Sequence, residues 1–146
     1  MKKIICITLV LLILLSCLTA CDFAKDLVSS MADNVEATPK VEKMITALAD
    51  DDMDDAKALL HPQVAETSDT AITQMRDYLA GRTAKTIEIT TFNISTSTGT
   101  GGKTRQEQAT YQVTLSDNTV IFLNMVYLSN NQGSGFVSFQ VVLGSS

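Results

Sequence analysis

The spacing of apolar side chains divides the chain into three stretches of different period. Positions 4–20, IICITLVLLILLSCLTA, are apolar or small without a single charge, Gly or Pro. Between 38 and 80 apolar residues return every three or four positions, the period of a helix that buries one face. From 86 onward the period falls to two, the alternation of a half-buried strand.

Within the helical stretch, Thr38 suits an N-cap and Pro39 the first helical position, where its missing N–H costs nothing. Val41, Met44, Ile45, Leu48 and Ala49 then form one stripe. The run DDDMDD interrupts it, and Met53, Ala56, Leu59 and Leu60 resume the spacing as far as His61-Pro62. Proline disfavours helical geometry in the residue before it, so a second helix ends near His61. A third fits Asp69 to Ala80, with Ala71, Ile72, Met75, Tyr78 and Leu79 inward and Gly81 at the left-handed C-terminal position.

The strand stretch begins with TIEITTFNI, which alternates through Ile87 and Ile89 and then shifts phase to Phe92 and Ile94. Such a shift predicts a bulge at Thr90-Thr91. STSTGTGGKT reads as a flexible loop, QATYQVTL as a strand with Ala109, Tyr111, Val113 and Leu115 on one face, and SDNT as a tight turn. VIFLNMVYL is apolar on nearly both faces, which marks a covered strand, and FVSFQVVL closes the chain after the turn NNQGSG. Three helices followed by a four-stranded antiparallel meander predict an α+β fold, with N-terminal helices packed on the sheet in one domain over 38–146. A domain of that length buries about two-thirds of its unfolded surface and can stand without disulfides.

The leader follows a different logic. Met1-Lys2-Lys3, the apolar run and the small residues after it make the pattern of a secretory signal, although about 17 residues is also the lower limit for spanning a bilayer. Leu18-Thr19-Ala20-Cys21 resembles the lipobox of bacterial lipoproteins: an aliphatic residue, a small or β-branched one, a small one, then Cys. That resemblance covers 1–21 only. It implies cleavage between Ala20 and Cys21, a diacylglyceryl thioether on Cys21 with further fatty acylation such as palmitate, and residence on the outer side of a cell membrane. Cys6 and Cys17 then leave with the signal peptide 1–20, so the mature chain has no thiol for a redox, nucleophilic or metal-binding site. Residues 21–37 read as the lipidated Cys and a tether. Phe23, Leu27, Met31 and Val35 recur every four residues, which also suits a helix docked on the domain.

The order of elements, with MITALADDDMDDAKALLHPQV as helix, acidic turn, helix and His/Pro corner, resembles the nuclear transport factor 2-like, cystatin-like superfamily over 38–143. The resemblance implies a curved sheet wrapping a helix into a cone and sheet-face dimers. It also implies an internal pocket that Tyr78, Tyr111 or Tyr127 would rim and, in ketosteroid isomerase-like members, an Asp base with a Tyr or carboxyl donor. No carboxylate stands out at an inward strand position, and Glu88 alternates away from Ile87 and Ile89.

Charge and candidate chemistry narrow the picture little further. A net charge of -5 with no basic stripe argues against nucleic-acid binding. The acidic run fails as a calcium loop: counted from Asp50, the sixth position is Asp55 instead of Gly and the twelfth is His61 instead of Glu. Its carboxylates suit the positive end of the next helix. His61 is the only histidine, which removes His-based metal clusters, and it reads as a helix-terminal structural residue.

If Tyr111, Val113, Ile121, Leu123, Met125, Val137, Phe139 and Val141 face the helices, the other sheet face carries Phe122, Asn124, Val126, Phe136 and Gln140. That face is too apolar for free solvent and too polar for a core. The sequence thus predicts a lipid-anchored extracytoplasmic protein that presents a binding domain without catalytic activity, metal or cofactor. Its sheet face would meet a second copy or an envelope protein. The alternatives are a cone-pocket binder of a small apolar ligand and an isomerase- or hydratase-like enzyme.

Overall fold

In the computed structural model, which describes residues 35–143, the helical period resolves into four helices: α1 (Thr38–Ala49), α2 (Met53–Ala58), α3 (Pro62–Ala65) and α4 (Asp69–Leu79). Of the expected stripe on α1, Val41, Met44, Ile45 and Leu48 are buried, Ala47 joins them, and Ala49 is only half-buried. Its start lies one residue earlier than the proline suggests: Ala37 is the N-cap, and the Thr38 hydroxyl turns to the core. The compact unit begins at Val35, so Val35 and Ala37, from the segment read as a tether or a docked helix, belong to the core. The leader, Ala20, Cys21 and the positions Phe23, Leu27 and Met31 lie outside the described residues.

Asp52 caps α2, its carboxylate accepting from the Asp55 amide at 3.0 Å, and Asp54 and Asp55 occupy the first turn. Carboxylates there meet the positive end of the helix, the role anticipated for the acidic run. His61 is extended (φ -66, ψ 139), as a residue before proline should be. Pro62 then starts α3, a short helix that the apolar period had not revealed. The turn after α4 puts both Ala80 (φ 48) and Gly81 (φ 77) in the left-handed region.

The strands form one open, curled antiparallel sheet in the order β1 (Ala84–Gly99), β2 (Gly102–Leu115), β3 (Val120–Asn130) and β4 (Gly133–Leu143). The segment expected to be a flexible loop is mostly strand. Pairing continues unbroken from Thr91↔Thr110 to Gly99↔Gly102, leaving only Thr100 and Gly101 as the turn. Thr, Ser and flanking Gly look like loop composition, but Thr is β-branched and favours the extended backbone.

Two bulges set which side chains point inward. Ile89 pairs with Tyr111 and Thr91 with Thr110, so Thr90 is the extra residue, where the phase shift in sequence had placed it. On β4, Tyr127 pairs with Phe136 and Val126 with Ser138, leaving Val137 extra. This second bulge corrects the assignment of Phe136 and Val137. Because one residue is skipped, Phe136 falls on the same face as Phe139 and Val141. It is fully buried against Tyr127, ring centroids 5.3 Å apart in an edge-to-face pair.

β4 is also stitched to the corner after α2. The His61 amide donates to the Phe136 carbonyl at 2.9 Å and the Phe136 amide to the Leu59 carbonyl at 3.0 Å, with Leu60 and Phe136 forming a parallel bridge. Gly135 makes this approach possible, because a Cβ there would lie 2.3 Å from the His61 nitrogen.

Candidate functional site

The outer face of the sheet carries a shallow groove of about 470 Å³ across the middle of all four strands. Two cross-strand rows build its floor. One runs Thr91, Thr110, Asn124, Gln140; the other runs Asn93, Gln108, Val126, Ser138. Alternation alone puts these residues on one face, since their neighbours Phe92, Ala109, Met125 and Phe139 pack inward. The Thr110 hydroxyl donates to Asn124 Oδ1 at 2.8 Å. The side chains of Asn93, Gln108, Ser138 and Gln140 make no hydrogen bond within the described residues, so their donors and acceptors face outward. No charged residue lines the groove.

Of the residues expected at a sheet-face interface, Asn124, Val126 and Gln140 therefore come together. Phe122 lies one rung away, half-buried, beside Val142 of β4, which is 43% exposed. Phe136 does not belong, for the reason given by the β4 bulge.

The three tyrosines are not gathered at one rim. Tyr111 and Tyr127 are fully buried. The Tyr111 hydroxyl bonds Thr38 Oγ1 at 3.3 Å, and the Tyr127 hydroxyl accepts from Lys40 Nζ, which also lies 4.2 Å from the centre of that ring. Burial pushes the Tyr111 hydroxyl above the ordinary tyrosine value; the Thr38 hydrogen bond opposes this and the negative charge of Glu107 reinforces it. Tyr78 sits apart on α4, with the Arg82 guanidinium 5.3 Å from its ring centre.

Glu107 is the residue that sequence reading passed over. It is an inward carboxylate on β2, with only 1% of its side chain exposed. Oε1 accepts from the Glu36 amide at 3.2 Å and Oε2 from the Ala37 amide at 3.1 Å, while Arg105 closes on Oε1 at 2.7 and 2.8 Å. The carboxylate thus clasps the backbone just before α1. The signal was present in the pattern: carrying the phase of Tyr111 and Ala109 two residues back reaches Glu107. With these partners its oxygens are committed to holding the chain.

His61 is buried, Nδ1 accepting from the Gln63 amide and Nε2 facing Asn130 Oδ1, each at 3.2 Å. With Nδ1 acting as acceptor, the neutral tautomer carries its proton on Nε2 and donates it to Asn130. This is the helix-terminal role expected of it. A larger groove of about 810 Å³ runs beside α1 and α2, with Glu42, Asp50, Asp52 and Asp55 opposing only Lys43. Among the described residues no three His, Cys, Asp or Glu side chains converge in metal-binding geometry, no buried side-chain polar atom lacks a partner, and no helix is long and apolar enough to cross a membrane. Comparison of the chain with protein-family models, with curated proteins and with solved structures finds no match.

Proposed function

We propose that this chain is a bacterial lipoprotein, held on the outer side of a cell membrane through Cys21, whose α+β domain is a non-catalytic binding module. The lipobox Leu18-Thr19-Ala20-Cys21, set directly behind a Lys-Lys leader and an apolar run, is the observation that carries this reading. Two or more acyl chains on one Cys give stable attachment where a single chain gives only marginal binding. Helices before a curled four-stranded sheet agree with a nuclear transport factor 2-like, cystatin-like domain. The contact surface is the outer sheet face, where Val126 lies among the neutral amides and hydroxyls of the groove and Phe122 and Val142 lie in the next row with Gln112 and the exposed Glu88. A second copy or another envelope protein would cover it.

Two measurements test this. Cells fed labelled palmitate should show a labelled band that Cys21→Ala abolishes, together with the membrane fraction of the protein. An unmodified Cys21 by intact mass would refute anchoring. Phe122→Asp, at a half-buried position on the contact face, should cost about 1 kcal/mol or less of stability while releasing whatever partner co-purifies or dimerises there. Unchanged association would remove the sheet face from the reading.

A further inference from the structure

β1 and β4 are the two edges of the sheet. Part of the β4 edge is occupied by the bridge from Leu60 and the hydrogen bonds of Leu59 and His61. No described segment bridges to the free edge of β1. Alternate residues of β1 therefore turn an N–H and a C=O away from the sheet with no strand among the described residues to receive them.

Proteins blunt such edges with bulges, charges and prolines. The first half of β1 has these devices: Lys85 and Thr90 are bulge residues, and Lys85 and Glu88 are exposed charges. The second half has none. From Thr91 to Gly99 the register is unbroken, and positions 89–102 contain no charge and no proline. Phe92 and Ile94 lie half-buried at the inner margin of the same stretch, while Thr91, Asn93 and Ser95–Thr98 are exposed.

We infer that the Thr91–Ser97 edge pairs antiparallel with the same edge of a second copy, extending the sheet across a twofold axis. With Ile94 opposite its own counterpart, Phe92 falls opposite Thr96 on the inner side. Thr91 then faces Ser97, and Asn93 faces Ser95, on the outer side. Every rung is neutral, and aromatic or aliphatic side chains meet β-branched ones, the pairings that stabilise cross-strand contacts. Two chains that each carry a net charge of -5 can approach most closely along an uncharged segment. The unprotected edge, its half-exposed Phe92 and Ile94, and this neutrality are all met by one occupant, the segment itself. Thr91 and Asn93 also wall the outer groove, so pairing would set the grooves of both copies side by side. A seven-residue strand pair is smaller than the standard interface of about 1,600 Å², so the dimer is reversible. It depends neither on lipid attachment nor on the sheet face.

Sedimentation velocity of the full chain in a density-matched non-ionic detergent, over a concentration series, tests the pairing. The wild type should show a concentration-dependent dimer. Thr96→Lys and Ser97→Lys, at exposed positions on opposite sides of the strand, should each weaken it by roughly tenfold or more, whereas Thr96→Val should strengthen it by roughly twofold. Phe122→Asp should leave this dimer intact, which separates edge pairing from the sheet-face contact. Circular dichroism checks that each variant is folded. A monomer at every concentration would overturn the inference and leave the edge to an extended segment of another protein. A dimer unaffected by both lysines would overturn it equally.

Discussion

Replacing Gly135 by Ala should lower the melting temperature by roughly 10–20 °C, the largest effect expected of a single methyl group in this domain. An ideal Cβ at 135 would lie 2.3 Å from the His61 nitrogen, 2.4 Å from the Leu60 carbonyl carbon and 2.6 Å from its oxygen. All three atoms are backbone, so no rotamer change relieves the clash. Either β4 or the corner must move, and the His61-to-Phe136 and Phe136-to-Leu59 hydrogen bonds, at 2.9 and 3.0 Å, lengthen with it. Overpacking and loss of buried hydrogen bonds together cost about 3 kcal/mol or more. Phe136, fully buried at this junction, would shift as well. Gly101→Ala is the matched control, because nothing lies within 4 Å of its added Cβ. It should change stability by no more than about 0.5 kcal/mol. Thermal denaturation followed by circular dichroism compares the two; equal melting temperatures would mean that the corner does not approach β4 this closely.

Removing the Glu107 carboxylate is the second large effect. Glu107→Leu should destabilise the domain by about 3 kcal/mol, because two backbone amides lose their acceptor and the Arg105–Glu107 ion pair is lost. The ion pair contributes the smaller share, since the Arg105 side chain is 30% exposed and water screens it. Glu107→Gln keeps the shape and one acceptor oxygen, so its loss should be about half as large. Urea unfolding should rank wild type above Gln and Gln above Leu. Hydrogen exchange at the Glu36 and Ala37 amides should accelerate in the same order. Three variants of equal stability would show that the clasp does not hold this segment. The role is consequential under the proposed anchoring, since the clasp lies where the chain from Cys21 joins the domain.

Most of the fold was legible because its signals are local. The stripe on α1, the two-residue alternation of β2 and the Thr90 bulge follow from how often a side chain returns to the same side of a helix or strand. The Pro62 boundary follows from a steric clash between neighbouring residues. The second bulge was not legible. Strict alternation through Phe136-Val137-Ser138-Phe139 puts the two aromatics on opposite faces, and only the bridge to Leu60 and the pairing with Tyr127 reveal the skipped residue that brings both inward. The tip of the β1–β2 hairpin, STSTGTGGKT, reads as a loop because Ser, Thr and Gly are common in loops, and composition does not record that Ser95 to Gly99 pairs with Gln106 to Gly102.

The candidate sites divide along the same line. Asn124, Val126 and Gln140 could be placed together from alternation and sheet order. Tyr111 and Tyr127 could be placed inward, but whether they rim a void or fill the core depends on how closely α1 approaches, with Thr38 and Lys40 meeting their hydroxyls. By itself the sequence determined the α+β order and the faces of most elements, and it carries the run Leu18-Thr19-Ala20-Cys21 that resembles a lipobox, each written in residues a few positions apart. The tertiary structure alone decided that Glu107 clasps residues 36 and 37, that Gly135 admits the His61 corner, and that half of β1 is an edge which no other described segment pairs. Each of these joins or exposes backbone whose partners lie tens of residues away, and neither period nor composition encodes such distances.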